Sequence, residues 1–288
     1  MIGIPDLRTA ILDLLYELRG SDINVIIAGG FGIFLKIEYV KTHSLRTLFE
    51  EWPEPRSTKD IDLFLGPELL IDSSRLRPLK IALDNLGYKV VPGAEKYQFV
   101  KTGMDGMEHA QVKIDLLTGP QSRFDGTNVK TDSRRARPKP SVDIHAHPVD
   151  EAPTLEDGLT KISLNGFLSS GKSWEAEIFL PHPFTFLMMK LFAFRDQCNN
   201  PENDYGRHHA LDLYSVLGTT TEPEWEDSLG FRNRLRTERY VGQARDIVLQ
   251  YFGDREALGV LRLKESTYYR DTFQDLEFIS ALLELFYS

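Results

Sequence analysis

The alternation of apolar and polar positions predicts a strand at residues 61 to 65, and the rest of the chain is organised around it. Residues 59 to 65 are K-D-I-D-L-F-L. In a strand, Asp60 and Asp62 leave the backbone on one face and Ile61 leaves it on the other. Two carboxylates this close repel each other unless a cation lies between them or one holds a proton. The pair therefore indicates a divalent cation such as Mg²⁺ or a shifted pKa, whereas a D-x-D pair on an edge strand can also be hydrated and idle.

A glycine turn precedes this strand, and a third acid follows it. The short apolar run N-V-I-I-A at residues 24 to 28 ends in Gly29-Gly30, and a helix is predicted to start at Phe31. A strand, a glycine turn and a helix N-terminus together present backbone N–H groups to a phosphate. Residues 111 to 117 (Q-V-K-I-D-L-L) predict another strand, and Asp115 in its middle would complete a metal site facing the glycine turn.

The other N-terminal elements predict a small mixed sheet with helices on one side. Helices are predicted at residues 5 to 19 and 79 to 86, and strands at residues 88 to 91 and 95 to 100. With a mainly helical C-terminal half, the fold class is α+β. The predicted division is a domain of residues 1 to 125, a β-rich connection of residues 126 to 180, and a helical domain of residues 181 to 288.

A helix that is apolar on nearly every side is predicted after Pro183, and such a helix is buried. Lys190 lies in it, and a buried lysine is costly unless it meets an anion, which would be one of the three acids, Asp212 or a bound phosphate. The alternative is a lysine that extends to the surface. Arg195 is either a cation at the helix end or a second phosphate ligand.

Two histidine pairs leave their roles open. His208 and His209 begin a predicted helix at residues 207 to 217 and could bind a metal or act as a base, although a structural role is favoured. His145 and His147 occupy alternate positions, which can chelate a metal, but no third ligand is close in sequence.

These residues resemble a known family in two places. The order G-G, then T-K-D-I-D at Thr58 to Asp62, then Asp115 resembles the DNA polymerase β-like nucleotidyltransferase superfamily over about residues 20 to 120. The segments P-H-P, K-L-F-A-F-R and H-A-L-D-L, between about residues 178 and 217, are similar to those of the AbiEii-type toxin nucleotidyltransferases.

The resemblance implies Mg²⁺-dependent transfer of a nucleoside monophosphate from an NTP to an acceptor hydroxyl. Asp60, Asp62 and Asp115 would be the catalytic and metal-binding residues. The expected nucleotide-binding residues are Gly29, Gly30, Thr58, Lys190, Arg195 and Asp212. The second match also implies an RNA acceptor, such as a tRNA 3′ end, and a cognate antitoxin. An antibiotic nucleotidyltransferase with an aminoglycoside-like acceptor and a non-catalytic nucleotide-binding regulator are the alternatives.

The net charge of the chain and the position of its basic residues indicate which kind of acceptor it could bind. The chain of 288 residues has a formal net charge of −9, so contact with a nucleic acid requires a local basic patch. A basic run, Lys130, Arg134, Arg135, Arg137 and Lys139, lies in a polar, turn-rich stretch. It predicts either a loop that grips phosphates or a solvated loop without a role.

Residues 166 to 173 match the P-loop pattern G-x-x-x-x-G-K-S, which would imply a different class of enzyme. A P-loop requires a helix at its Lys-Ser end, but residues 174 to 180 alternate with period two and end at Pro181. Residues 161 to 168 also predict a strand, so residues 169 to 173 are predicted to be the turn of a β-hairpin.

The cysteine content, the N-terminal sequence and the length of the apolar runs indicate the cellular compartment. Cys198 is the single cysteine, which is compatible with a reducing cytoplasm. The first helix carries Asp6, Asp13 and Glu17, unlike a signal peptide, and no apolar run approaches the length of a bilayer span. The expectation is a cytoplasmic protein without a membrane partner.

Overall fold

The computed structural model describes residues 4–54, 56, 58–94, 96–102, 111–200 and 204–287. The chain forms two compact units, a first unit of residues 1–32 and 57–181 and a second unit of residues 33–56 and 182–288. The division predicted from the sequence, with boundaries after residues 125 and 180, stays a prediction about domains. Glu95, where a strand was expected to start, lies outside the described residues.

The helices of the first unit lie both before and after residues 60 to 65 in the sequence. They are α1 (Ile4–Glu17), the first turn of α2 (Gly29–Thr42), α3 (Pro67–Ile71) and α4 (Arg77–Asn85). Helix α2 begins at Gly29 and not at Phe31, so both glycines belong to its first turn.

The first unit contains a mixed sheet. The strands in the described part of the chain are β1 (Ile26–Ala28), β2 (Asp60–Leu65), β3 (Lys89–Val90), β4 (Gln98–Thr102), β5 (Gln111–Thr118), β6 (Lys130–Asp132), β7 (Arg135–Arg137), β8 (His147–Pro148), β9 (Thr160–Phe167) and β10 (Ser173–Leu180). The order in the sheet is β3-β4-β5-β2-β1-β10-β9, with β8 paired to β5, while β6 and β7 form a separate hairpin. The pairs β1·β10, β2·β5 and β5·β8 are parallel, and the others are antiparallel. The predicted mixed sheet is therefore confirmed.

One face of the two central strands is apolar and buried. Ile61 and Leu63 of β2 and Ile114 and Leu116 of β5 are each 0 % exposed. The residues between them in sequence, including the acids, face the other way, because side chains alternate along a strand. Helix α1 contacts β5, β9 and β10. Burial of the apolar face thus fixes which face carries the carboxylates.

The predicted hairpin turn at residues 169 to 173 is confirmed. Strands β9 and β10 are antiparallel, with Phe167 paired to Ser173. The turn between them contains Gly171 at φ +81°, and the Gly171 N–H donates to the Leu168 carbonyl at 2.9 Å. Lys172 lies over the rings of Tyr16 and Trp174, with its Nζ 5.3 Å from each centroid. The helix that a P-loop requires is replaced here by a strand.

The second unit is helical. After the rest of α2 it contains α5 (Pro183–Gln197), α6 (Tyr205–Gly218), α7 (Glu222–Arg234), α8 (Arg239–Phe252), α9 (Leu258–Lys264) and α10 (Asp275–Tyr287). Helix α5 is buried along most of its length and contacts α6, α7 and α8, as its all-round apolar pattern predicts. The predicted helical C-terminal half is confirmed. None of the helices in the described ranges has the length and apolarity that a membrane crossing needs.

Candidate active site

A row of side chains crosses four neighbouring strands of the first unit. Asp62 on β2 is the Cα partner of Asp115 on the parallel strand β5 and of Ala28 on the antiparallel strand β1. Asp115 is in turn the partner of Gln98 on β4. Residues that are partners in register point to the same face, and neighbouring strands are about 4.8 Å apart. The sheet therefore brings Asp62 and Asp115 side by side.

A second row lies two residues away on the same face. Asp60 is the Cα partner of Lys113. Because the side-chain period of a strand is two, Asp60 shares a face with Asp62, and Lys113 shares a face with Asp115. All three predicted acids and one lysine thus lie on one face of the β2·β5 pair.

Gly29 and Asp62 are in close contact. A Cβ atom at Gly29 would lie 1.7 Å from Oδ2 of Asp62, and Gly29 has φ +62°, a value that favours glycine. The Asp62 carboxylate therefore lies against the first residue of α2. A helix N-terminus stabilises a negative charge through its dipole and its free N–H groups, so this position suits an anion.

Asp115 has two different oxygens. Its Oδ2 accepts hydrogen bonds from Lys113 Nζ at 2.9 Å and from Gln98 Nε2 at 3.2 Å. Its Oδ1 is buried without a hydrogen-bond partner. Oδ2 of Asp115 is therefore held by Lys113 and Gln98, whereas the buried Oδ1 has a hydrogen-bonding capacity that is not used.

The three acids and Lys113 give this face of the β2·β5 pair a net negative charge. Burial raises the pKa of Asp115 and outweighs the bond to Lys113, and the charge of Asp60 raises this pKa further. Burial lowers the pKa of Lys113, but the bond to Asp115 and the charges of the three acids outweigh it, so the pKa lies above its usual value. The neighbouring carboxylates thus explain the raised pKa of Lys113, whereas burial is the main cause of the raised pKa of Asp115.

Thr58 lies close to the backbone of Asp60. It is 9 % exposed, and its hydroxyl donates to the backbone carbonyl of Asp60 at the long distance of 3.5 Å. Its contact is with the backbone at the start of β2.

The donor set fits a hard divalent cation. Carboxylate oxygens are the ligands that Mg²⁺ prefers, and Oδ1 of Asp115 is a buried acceptor that lacks a partner. Within the described ranges, however, no three His, Cys, Asp or Glu side chains are already grouped to hold a metal ion. The bond to Lys113 holds one lobe of Asp115, so binding would require side chains to move while the strands remain in place.

A second cluster of predicted residues lies inside the second unit. Lys190 Nζ is 2.7 Å from Oδ2 of Asp212, and Arg56 binds the same carboxylate with Nε at 2.9 Å and Nη2 at 3.0 Å. Lys190 is 6 % exposed and Asp212 is 2 % exposed. Asp212 is thus the anion that the buried lysine requires, and the alternative of a lysine at the surface is wrong.

The charges of this cluster affect its neighbours. Burial alone would raise the pKa of Asp212, but the charges of Lys190 and Arg56 hold it below its usual range. Burial, reinforced by Lys190, lowers the pKa of His209 to about 3, and His209 Nδ1 is buried without a hydrogen-bond partner. Burial, with the charge of Arg56, also lowers the pKa of His208. His209 is therefore a neutral side chain at physiological pH.

Arg195 has contacts near the end of α5. Its Nε donates to Asp196 at 2.7 Å, and its guanidinium lies 4.7 Å from the ring centroid of Phe192. It lies in the last turn of α5, as a helix-end cation would. Its predicted phosphate contact stays a prediction.

The basic run forms the β6·β7 hairpin. Lys130 is paired with Arg137, and Asp132 with Arg135, so these four side chains share a face. Asp132 binds Arg137 at 3.1 Å and Arg135 at 3.3 Å. The hairpin reaches the sheet through β8, where the Nδ1–H of His147 donates to the Arg134 carbonyl at 2.9 Å. His147 is thereby engaged with the backbone, and no metal group forms around it in the described part of the chain.

Lys139 extends this basic hairpin. It is exposed, and a contact with Lys130, together with the charge of Arg137, lowers its pKa. Like charges are thus held close together at the surface.

Three residues of these clusters were missed by sequence reasoning. Lys113 and Gln98 touch Asp115, and Arg56 binds Asp212 through both oxygens. The signal for Lys113 was present, since it lies two positions before Asp115 in a predicted strand. Gln98 and Arg56 have no such local signal, because their partners are distant in sequence.

Comparisons with known proteins give little further guidance. No protein-family model matches the chain, and no curated protein matches it. Among solved structures, the chain is similar to the solution structure of the antibiotic-resistance factor ANT(2'')-Ia, with 14% sequence identity and a TM-score of 0.38. That match covers 80% of this chain and 94% of the other. A likeness at this level assigns no function, so the function must be inferred from the site itself.

Proposed function

We propose that this protein is a divalent-metal-dependent nucleotidyltransferase, which transfers a nucleoside monophosphate from an NTP to an acceptor hydroxyl. The observation that carries the proposal is the row in which Asp62 and Asp115 are partners in register, with the Asp62 carboxylate against Gly29 at the start of α2. It combines paired acids with a helix N-terminus that favours phosphate.

In this proposal the acceptor oxygen attacks the α-phosphorus, the bond from that phosphorus to the α,β-bridging oxygen breaks, and pyrophosphate leaves. The acceptor proton passes to Asp115, which lies beside Asp62 on the same face of the sheet. Asp60, Asp62 and Asp115 Oδ1 would hold Mg²⁺, which supplies charge stabilisation to the entering and leaving oxygens when it is bound. The N–H groups of the first turn of α2 would bind phosphate oxygens, and Thr58 would keep the start of β2 in place.

Lys190 and Arg195 are proposed as further phosphate ligands on the family resemblance, with Asp212 as the residue that orients Lys190. The ion pair between Lys190 and Asp212 supports the orienting role of Asp212, because it fixes the position of the Lys190 ammonium on a buried helix.

For the acceptor we propose RNA, such as a tRNA 3′ end, and for the biological role a toxin with a cognate antitoxin. The β6·β7 hairpin supports an RNA acceptor, because its exposed cations match the contacts that proteins make to phosphates. A small cationic acceptor is the second candidate, and the net charge of −9 favours it.

The test is transfer of label. Purified protein would be incubated with each α-³²P-labelled NTP and Mg²⁺, in one arm with total RNA and in another with a set of aminoglycosides. Asp60→Asn and Asp62→Asn variants would be compared with Asp84→Asn, which changes an exposed carboxylate on α4 by the same chemistry. We expect label in RNA from the wild type and Asp84→Asn, and none from the other two variants.

Other outcomes assign other functions. Label in an aminoglycoside and not in RNA would establish the second candidate. NTP binding without label in any acceptor would show a non-catalytic nucleotide-binding module and would refute the proposal.

A further inference from the structure

Lys113 lies among the three acids. It is the Cα partner of Asp60, and its Nζ is 2.9 Å from Oδ2 of Asp115. Its side chain is 29% exposed. Since Asp62 and Asp115 are partners in the adjacent row, the ammonium is on the face where all three carboxylates lie.

This arrangement places a protein cation where positive charge is needed. Three carboxylates on one face of two paired strands repel each other, and one ammonium offsets part of that repulsion. A lysine is suited to such a role because its charge sits on a flexible stem and can leave when another cation arrives. By contrast, Asp212 in the second unit is held by two cations, one of them bidentate.

We propose that Lys113 is the resident counter-ion of the acidic site and that it opposes the binding of a divalent cation. This inference rests on the proposed function, since it assumes that the three acids bind a metal. With Lys113 on Asp115, the site has less negative charge to offer, and one lobe of Asp115 is engaged. The polyphosphate of an NTP adds negative charge to the site, so the metal binds more readily together with the nucleotide than alone.

The alternative is that Lys113 only fixes the orientation of Asp115. The two roles predict opposite effects on the metal. Loss of an orienting bond weakens metal binding or leaves it unchanged, whereas loss of a competing charge strengthens it. Two charges of +1 and +2 that are about 6 Å apart in a water-like dielectric repel each other by enough to change an affinity about tenfold.

The test measures Mn²⁺ binding by electron paramagnetic resonance, without nucleotide and without turnover. The variants are Lys113→Gln, which removes the charge, and Lys113→Arg, which keeps it. The matched control is Lys101→Gln, because Lys101 is on the neighbouring strand β4 and pairs with Val112, on the opposite face from Lys113. Circular dichroism would establish that each variant is folded.

We expect Lys113→Gln to bind Mn²⁺ about tenfold more tightly than the wild type. Lys113→Arg and Lys101→Gln should stay within about twofold of it. Adding the α,β-methylene analogue of each NTP should raise the Mn²⁺ affinity of the wild type by a larger factor than that of Lys113→Gln. If Lys113→Gln does not fold, Lys113→Met replaces it with a side chain of similar length.

The two proposals fail in distinguishable ways. Unchanged or weaker Mn²⁺ binding by folded Lys113→Gln, with wild-type binding that requires Asp60, would overturn the role of Lys113 alone. Absence of Mn²⁺ binding by the wild type, or binding that Asp60→Asn leaves unaltered, would overturn both.

Discussion

The carboxylate of Asp62 fills the space that a side chain at Gly29 would need, since a Cβ atom there would lie 1.7 Å from Oδ2 of Asp62. The strand β2 and the first residue of α2 therefore cannot both keep their positions if Gly29 is replaced. This contact ties the acid pair to the helix N-terminus.

A Gly29→Ala substitution should displace Asp62 and lower the free energy of unfolding by about 2 to 3 kcal/mol, because the clash adds to the strain of φ +62°. Nucleotidyl transfer should fall at least about a hundredfold, since misplacing a catalytic group by about 1 Å has effects of that order. Urea denaturation and the label-transfer assay measure the two effects.

Gly126→Ala is the control for Gly29→Ala. Gly126 has φ +73° and nothing within 4 Å of its added Cβ, so it has the strain without the clash. Only about 1 kcal/mol of stability should be lost, with transfer unchanged. Equal effects of the two substitutions would show that the contact with Asp62 has no role.

Asp212→Asn should destabilise the protein by about 3 to 5 kcal/mol, because it leaves two cations buried or half-buried without their carboxylate. Lys190→Met should cost less, about 1 to 2 kcal/mol, because the bidentate pair of Arg56 and Asp212 remains. Urea denaturation at pH 7 measures both. If Lys190→Met lowered the free energy of unfolding more than Asp212→Asn does, the hydrogen bonds from Arg56 would not be the main interaction that stabilises Asp212.

His209 contributes to the pH dependence of stability. Burial lowers its pKa to about 3, below the usual value of 6.5, so the unfolded chain binds a proton in this interval and the folded chain does not. Stability is therefore complete above pH 6.5 and falls as the pH decreases toward 3. Between pH 7 and pH 5 we expect His209 to account for a loss of about 2 kcal/mol.

Urea denaturation at pH 7 and pH 5 tests this expectation in His209→Leu, where the loss should be smaller by that amount. His43→Gln, at an exposed position, is the control for the loss of an imidazole. His145 should add to the wild-type slope in the same direction, since burial and the charge of Lys96 lower its pKa to about 4. An unchanged slope in His209→Leu would contradict a neutral buried His209.

The β6·β7 hairpin should matter for an RNA acceptor and not for a small one. Replacing Lys130, Arg134 and Lys139 with Gln should weaken RNA binding and reduce the slope of log affinity against log salt by about 2, as expected for three phosphate contacts to a single strand. Filter binding over a series of salt concentrations gives both values.

The control for the hairpin changes the net charge equally. Its three positions, Lys41, Lys161 and Arg245, are cations already paired with Glu54, Glu177 and Asp246. Their replacement with Gln should leave the salt slope unaltered. The same slope in both triple variants would remove the hairpin as an RNA contact.

Lys172→Ala should leave nucleotide binding unchanged, although Lys172 is the lysine of a P-loop pattern. The reason is that Lys172 lies in a hairpin turn over two aromatic rings, where no helix N-terminus follows. Equilibrium binding of a fluorescent NTP analogue is the measurement. A tenfold loss of affinity would mean that the turn contacts phosphate after all.

Several features follow from the sequence by itself. The period-two alternation around Asp60 and Asp62 determined that both acids share a face, and the all-round apolar character of α5 determined that Lys190 is buried. The missing helix after Ser173 likewise excluded a P-loop. Each of these is a local property, because side-chain direction and hydrophobic periodicity depend only on nearby residues.

Only the tertiary structure decided which groups meet. The parallel pairing of β2 with β5 sets Asp62 opposite Asp115 and puts Lys113 next to Asp60, and no local pattern specifies that register. The tertiary structure also pairs Lys190 with Asp212 and not with one of the other possible anions. It adds Arg56 to this pair, a residue that is 156 positions from Asp212 in the sequence. Such choices depend on which buried charges can be neutralised together once the whole chain has packed, and a linear pattern does not contain that information.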